Sequence, residues 1–160
     1  MNRNIKIVIV PGFSYLSLGS MLEPLQTLKN LYHDLVLDIE LISITDDAIH
    51  SKPGISIRCD TSFQDCLKDL TKTSKTTAVF LCCGLKTPFD MQSSLKKVLR
   101  LCDLKNIPIF GVGAAGWKMA DAGILANGTG TVHWTTLAAF RERNQNIDVK
   151  DALFITSELA

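Results

Sequence analysis

The chain has no excess of charge of either sign: seventeen Lys and Arg stand against sixteen Asp and Glu in 160 residues, a formal charge of +1. Nucleic-acid binders gain affinity by releasing counterions with a basic surplus, so direct DNA contact by this chain is not expected. Long apolar runs are missing too. The β-branched run at residues 5–10 is interrupted by Lys6 and stopped by Pro11, far short of a membrane span or of a signal-peptide core with a cleavage site. These absences predict a cytoplasmic protein without a membrane partner. The five cysteines (Cys59, Cys66, Cys82, Cys83, Cys102) are an odd number, with no C-x-x-C pair and no His at zinc-ligand spacing. No metal site and no disulfide framework are expected, only free thiols in a reducing compartment.

What is present is a 46% hydrophobic chain, long enough for one buried core, so residues 1–160 are read as a single domain. Ile5, Ile7, Val8, Ile9 and Val10 suit a central strand covered on both faces. Leu18, Met21, Leu22, Leu25, Leu28 and Leu31 recur at helical steps, with Pro24 implying a late start or a kink. Residues 35–45 read as a second strand, and 55–58 as a short third one after the Pro53-Gly54 turn. Thr61-x-x-Gln64 has the form of a capping box ahead of a helix bearing Phe63, Cys66, Leu67 and Leu70. Further strands are expected at 78–83, 107–112 and 152–156. Helices are expected over 91–102, where Lys96, Lys97 and Arg100 form a solvated face, after residue 116, and near 134–141. Gly123 should end its helix in the left-handed conformation, with Ile124 packing back. Strands alternating with helices imply right-handed crossovers and a doubly wound, mostly parallel α/β sheet with helices on both faces. Ligands of such sheets sit beyond the carboxyl ends of the strands, at the loops 11–17, 83–87 and 113–116.

Gly111 to Gly116 fits G-x-G-x-x-G. A dinucleotide fingerprint calls for a carboxylate about 20 residues on, where this chain has Thr131, Val132, His133 and Trp134. The pattern also arrives late, after four strands, whereas such a fingerprint joins the first strand to the first helix, so no nucleotide cofactor is expected. The small residues at 113–116 fit a strand-to-helix elbow better, of the kind that exposes a strained nucleophile at its tip. Ala114 stands at that tip in this reading. A methyl group offers no lone pair for a base to activate.

The stretches "VIVPGFSYLSLGSMLEPLQ", "VFLCCG", "GVGAAGWKMADAGIL" and "GTVHW" follow one another along nearly the whole chain. Together they make the sequence resemble the class I glutamine amidotransferase-like (PfpI-like) superfamily, and within it the sensor domains of GlxA-type AraC-family transcription regulators. The resemblance implies a flavodoxin-like fold. Enzymes of the superfamily carry a Cys at the elbow, a His on the following loop and an acid after the first strand; by position these places are Ala114, His133 and Ser17. Where the superfamily commonly has Gly-Gly at its oxyanion region, this chain has Gly84-Leu85.

The resemblance thus implies a catalytically inactive domain that binds a small-molecule effector, with amino-acid-derived metabolites among the candidates, in a cleft of Phe13, Ser17, Gly84, Leu85, Ala114, Ala115, His133 and Trp134. It also implies a homodimer, and DNA contact only through a helix-turn-helix part absent from this chain. Relatives continue into at least one more helix after the stretch "FITSELA", so the chain is read as truncated at its C-terminus. Several residues keep plainer readings: His133 satisfying a loop carbonyl, Trp134 packing at a helix start, Phe13 closing the core instead of lining the cleft, Glu23 pairing at the surface instead of reaching a ligand. Two other functions stay open. One is a residual hydrolase or amidase working through Cys83 or His133; buried Cys82 and Cys83 argue against its thiol form. The other is a dimerisation module with a filled cleft.

Overall fold

The computed structural model of the chain describes residues 2–45, 48–72, 75–84 and 89–156. In chain order the elements are β1 (Asn2–Ile9), α1 (Tyr15–Leu31), β2 (Val36–Ser43), β3 (Ile49–His50), β4 (Ser56–Ile57), β5 (Thr61–Ser62), α2 (Phe63–Thr71), β6 (Thr76–Cys83), α3 (Phe89–Leu104), β7 (Ile109–Gly113), α4 (Ala115–Ala122), β8 (Thr129–Gly130), α5 (Leu137–Arg143) and β9 (Asp148–Val149). Five strands form the main sheet in the order β5-β2-β1-β6-β7, and every pairing in it is parallel. The doubly wound α/β sheet expected from the alternation is present.

β1 is central, as its β-branched run demands, with Ile7, Ile9 and Val10 fully buried. The connections through α1 and through α3 travel in opposite directions across the sheet. Right-handed crossovers therefore place these helices on opposite faces. α2 carries the chain in the same direction as α3, and the two helices touch. Lys6 breaks the apolar run because it points to the α2 face, where it meets Glu40 at 2.5 Å and Asp69 at 3.0 Å. Lys6 and Glu40 are register partners on adjacent strands, and the side chain of Lys6 is only 4% exposed.

Five expectations are corrected. Residues 55–58 do not join the main sheet: Ser56–Ile57 pairs antiparallel with Ile49–His50 in a hairpin, and the edge strand is Thr61–Ser62 beside β2. The cap of α2 is Ser62, not Thr61; its Oγ accepts from the Asp65 N–H at 3.2 Å, because Thr61 is still paired in β5 and its hydroxyl donates to Glu40. α1 starts early, at Tyr15, and runs through Pro24. Proline there removes one N–H to Ser20, whose exposed carbonyl is free to hydrate. Residues 152–156 form no strand; the last pairing is β9 with β8 in a small separate sheet. The helix expected at 134–141 divides into a 3-10 turn at Trp134–Thr136 followed by α5.

Gly123 has φ 82°, and the Ile124 N–H returns to the Met119 carbonyl at 3.2 Å, so α4 ends as anticipated. Arg100 adds to that end, its Nε donating to the Ala122 carbonyl at 2.9 Å, a cation where the helix dipole is negative. A second, smaller core joins α4 to α5 through Val132, Leu137, Phe140 and Ile147. No helix among the described residues is long and apolar enough to cross a membrane, and no group of His, Cys, Asp and Glu among them could hold a metal.

Candidate functional site

The carboxyl ends of β1, β6 and β7 lie side by side, and the winding reverses between β1 and β6. This is where an open α/β sheet leaves a crevice. The β1 end turns through Gly12 and Phe13 into α1, with Ser14 capping the helix by accepting from the Ser17 N–H at 3.2 Å. The hairpin β3–β4 holds this loop through backbone bonds from the Gly12 N–H to the His50 carbonyl and from the Lys52 N–H to the Phe13 carbonyl, both 2.8 Å. Sequence reasoning missed that latch, since backbone bonds leave no side-chain signature. Ser17 is half-buried in the first turn of α1. Phe13 has no exposed surface; of its two readings, core closure is the one realised.

Gly84 follows β6 directly and lies against Gly12, so closely that a Cβ on Gly84 would overlap the Gly12 carbonyl. Leu85 lies outside the described residues. β7 extends one residue further than anticipated, to Gly113. The left-handed residue of the elbow is accordingly Gly113, at φ 72°. Ala114, at φ −86° and ψ 9°, follows it as the residue before α4. This corrects the placement of the strained tip at Ala114: positive φ costs little only where there is no Cβ. The turn is held by the Ala114 N–H donating to the Cys83 carbonyl at 3.1 Å. Ala114 and Ala115 are both buried. Gly113 and Ala114 alike provide no nucleophile.

The 131–133 loop crosses the first turn of α4, where a Cβ on Gly116 would meet the Thr131 carbonyl at 2.8 Å and the Val132 side chain at 2.9 Å. His133 is exposed at the end of this loop. Its Nδ1 lies 2.7 Å from the Thr135 hydroxyl and accepts from the Thr135 N–H at 3.4 Å, so it caps the 3-10 turn through a side chain while its Nε2 side carries no such local bond. Trp134 is 75% exposed, with its ring 5.5 Å from that of His133, which overturns the packing role. Trp117 fills that role: it meets Phe140 edge-on at 4.9 Å and donates from Nε1 to the Thr136 hydroxyl at 3.3 Å. Glu23 is exposed on α1.

The two thiols at the end of β6 are buried. Cys83 is 3% exposed, and burial pushes its thiol well above the ordinary cysteine range, more than the positive charge of Lys118 lowers it. Burial alone pushes Cys82 up to about 11. Near neutrality neither supplies a thiolate.

The DJ-1/PfpI family profile matches residues 5–159. The HTH-type transcriptional regulator CdhR of Pseudomonas aeruginosa is 24% identical over 154 residues, covering 96% of this chain and 44% of the regulator. The HTH-type transcriptional regulator GlxA of Rhizobium meliloti is 25% identical over 155 residues, covering 96% and 45%. The chain therefore spans less than half the length of these curated relatives. Among solved structures, an AraC family transcriptional regulator from Pseudomonas putida superposes with a TM-score of 0.79 at 20% identity, covering 98% of this chain and 80% of that one, a likeness of fold.

Proposed function

The chain belongs to the DJ-1/PfpI family, and from that premise we propose that it is a non-catalytic, small-molecule-sensing and dimerising domain of an AraC-type transcription regulator. The observation that carries this reading is the elbow. Gly113 takes the left-handed conformation and Ala114 follows it, so the elbow itself offers backbone and a methyl group but no nucleophilic atom. Cys83 stands one strand away with its thiol buried. The regulators named above, matched over 96% of the chain, support the same direction.

In this reading a ligand sits among Ser17, Gly84, Ala114 and His133 and is held, not transformed. DNA contact belongs to a helix-turn-helix part and not to these residues, whose charge is +1. The protein acts in the cytoplasm. Binding transmits a signal only if the ligand prefers one arrangement of the domain over another. The loop of Gly12 and Phe13, latched to His50 and Lys52, is the element that such a ligand would displace or brace.

The test is a calorimetric and thermal-shift screen with amino acids and their N-methylated derivatives, alongside hydrolase and amidase assays. One chemical group of ligands should raise the melting temperature and bind with one site per chain, and His133→Ala should weaken it about tenfold or more. Steady product release by the purified chain, or no binding anywhere in the set at millimolar concentration, overturns the proposal.

A further inference from the structure

His133 caps the 3-10 turn at Trp134–Thr136 with its own side chain, and the manner of the capping fixes where its proton sits. Nδ1 accepts from the Thr135 N–H at 3.4 Å and lies 2.7 Å from the Thr135 hydroxyl. A backbone N–H can only donate, so Nδ1 offers its lone pair and the proton of the neutral ring is on Nε2. The hydroxyl can turn its hydrogen toward the same lone pair. The indole of Trp134, 5.5 Å away and tilted by 31°, flanks the imidazole ring. Nε2–H therefore points away from the turn, and among the described residues it has no hydrogen-bond partner.

The backbone of His133 is tied to the helix that follows the elbow. Trp117, in the first turn of α4, donates from Nε1 to the Thr136 hydroxyl at 3.3 Å, and that hydroxyl donates to the His133 carbonyl at 3.1 Å. The Thr136 N–H bonds the same carbonyl at 2.9 Å. With the Thr131 carbonyl and the Val132 side chain lying against Gly116, the imidazole stands beside the turn that carries Ala114. The surrounding charges favour an anion. The first turns of α1, α4 and the 3-10 turn hold no acidic residue, and the positive charge of Lys118, also on α4, acts on Cys83 at the end of β6.

We propose that His133 serves the site as a hydrogen-bond donor through Nε2–H, and that the ligand presents a carboxylate oxygen to it. That role presupposes the ligand of the sensing proposal, whereas the position of the proton does not. The same geometry sets this histidine apart from a general base. An imidazole that takes up a proton at Nε2 needs Nδ1–H held by an acceptor, the arrangement of a catalytic triad. Here Nδ1 receives hydrogen from Thr135, and the free nitrogen already carries its proton. A hydrogen bond to an ionised acceptor is roughly twice as strong as one to a neutral carbonyl. A carboxylate also meets no like charge in the three first turns.

Two measurements on the whole chain test this. Long-range proton–nitrogen NMR with isotope-labelled histidine, at about pH 8 where an ordinary imidazole is neutral, should show the proton on Nε2 and the lone pair on Nδ1, with the His133 signals identified by their loss in His133→Asn. Calorimetry then compares amino acids and their N-methylated derivatives, each beside its own carboxamide; the carboxamide should bind about tenfold or more weakly. Asn and Gln stand in for different ring nitrogens, the first reaching the place of Nδ1 and the second that of Nε2. His133→Asn should keep the cap and the melting temperature while its affinity falls about tenfold or more. His133→Gln should melt lower yet bind more tightly than His133→Asn; a histidine that only caps the turn gives the opposite order. A proton on Nδ1, carboxamides bound as well as acids, or Gln binding more weakly than Asn overturns the assignment and leaves sensing standing. Binding of neither acids nor carboxamides removes the ligand, and the sensing proposal falls with it.

Discussion

Gly84 and Gly12 touch backbone to backbone: a Cβ on Gly84 would fall inside the radius of the Gly12 carbonyl oxygen. The contact joins the ends of β1 and β6 across the point where the winding reverses. Gly84→Ala must push the two loops apart or bend β6. Because the obstructing group is backbone and not a flexible side chain, the cost is that of overpacking, about 2–3 kcal/mol. Chemical denaturation of the variant measures it. Loss of the proposed ligand should accompany the loss of stability, since Ser17 follows Gly12 into α1.

The buried cation of β1 supports a second prediction, in which the two carboxylates have unequal roles. Lys6 bonds Glu40, whose other oxygen accepts from Thr61, and Asp69, whose side chain is 52% exposed. Glu40→Gln leaves a buried ammonium underpaired and should cost about 2–4 kcal/mol. Asp69→Asn removes a solvated partner and should cost at most about 1 kcal/mol. Denaturant midpoints of the two variants in that order check the assignment; equal midpoints contradict it.

The same group sets an alkaline limit. Burial by itself lowers the pKa of Lys6, but its hydrogen bonds and ion pairs with Glu40 and Asp69 outweigh burial, and the net value is raised above 10.5. A lysine raised in the folded state stabilises fully below its unfolded value, and this contribution disappears as the pH climbs through the folded one. Urea midpoints should therefore hold steady across this lysine's titration up to pH 10.5 and fall beyond it. Asp69→Asn should make the fall smaller and end it at a lower pH.

Much of the frame was legible in the sequence because it is written in apolar periodicity. The run at residues 5–10 announced a strand buried on both faces, but the ion pair of Lys6 was not anticipated, because its partner Glu40 lies on another strand and only register reveals it. Gly123 was legible because one residue type fits its conformation. Short elements were not. Thr61–Ser62 and Ser56–Ile57 are two residues each, below any periodic signal, and their strand character comes from neighbours. At the site, the identity of the elbow tip turned on one residue, Gly113 or Ala114, and a run of small side chains does not say which takes positive φ. The exposure of Trp134 escaped for a related reason. Two tryptophans flank one contact, and composition does not tell that Trp117 fills it.

Thiol chemistry supports the next prediction. Cys66, Cys82, Cys83 and Cys102 are buried and only Cys59 is partly accessible, with burial raising Cys59 to about 11 and both Cys66 and Cys102 to about 12. A chromogenic disulfide reagent should titrate at most one thiol quickly in the native protein, and all five after unfolding. Native reactivity should rise toward alkaline pH. Rapid modification of Cys83 at neutral pH would restore the thiol-enzyme reading.

Returning a nucleophile to the elbow tests which residue is its tip. Gly113→Cys must take φ 72° with a Cβ 2.8 Å from the Cys83 carbonyl, a strain of about 1–3 kcal/mol at a site built for glycine. Ala114→Cys keeps an ordinary φ of −86° and adds one sulfur in a buried position, at a cost of about 1 kcal/mol or less if its neighbours give way. The two melting temperatures should separate in that order. A thiol at position 113 should stand at the strained tip and react with iodoacetamide faster than the buried Cys83, whereas a thiol at position 114 should resist as Cys83 does. If Ala114→Cys proves both the less stable and the more reactive variant, the tip lies at Ala114 and the left-handed turn is not what presents the cleft.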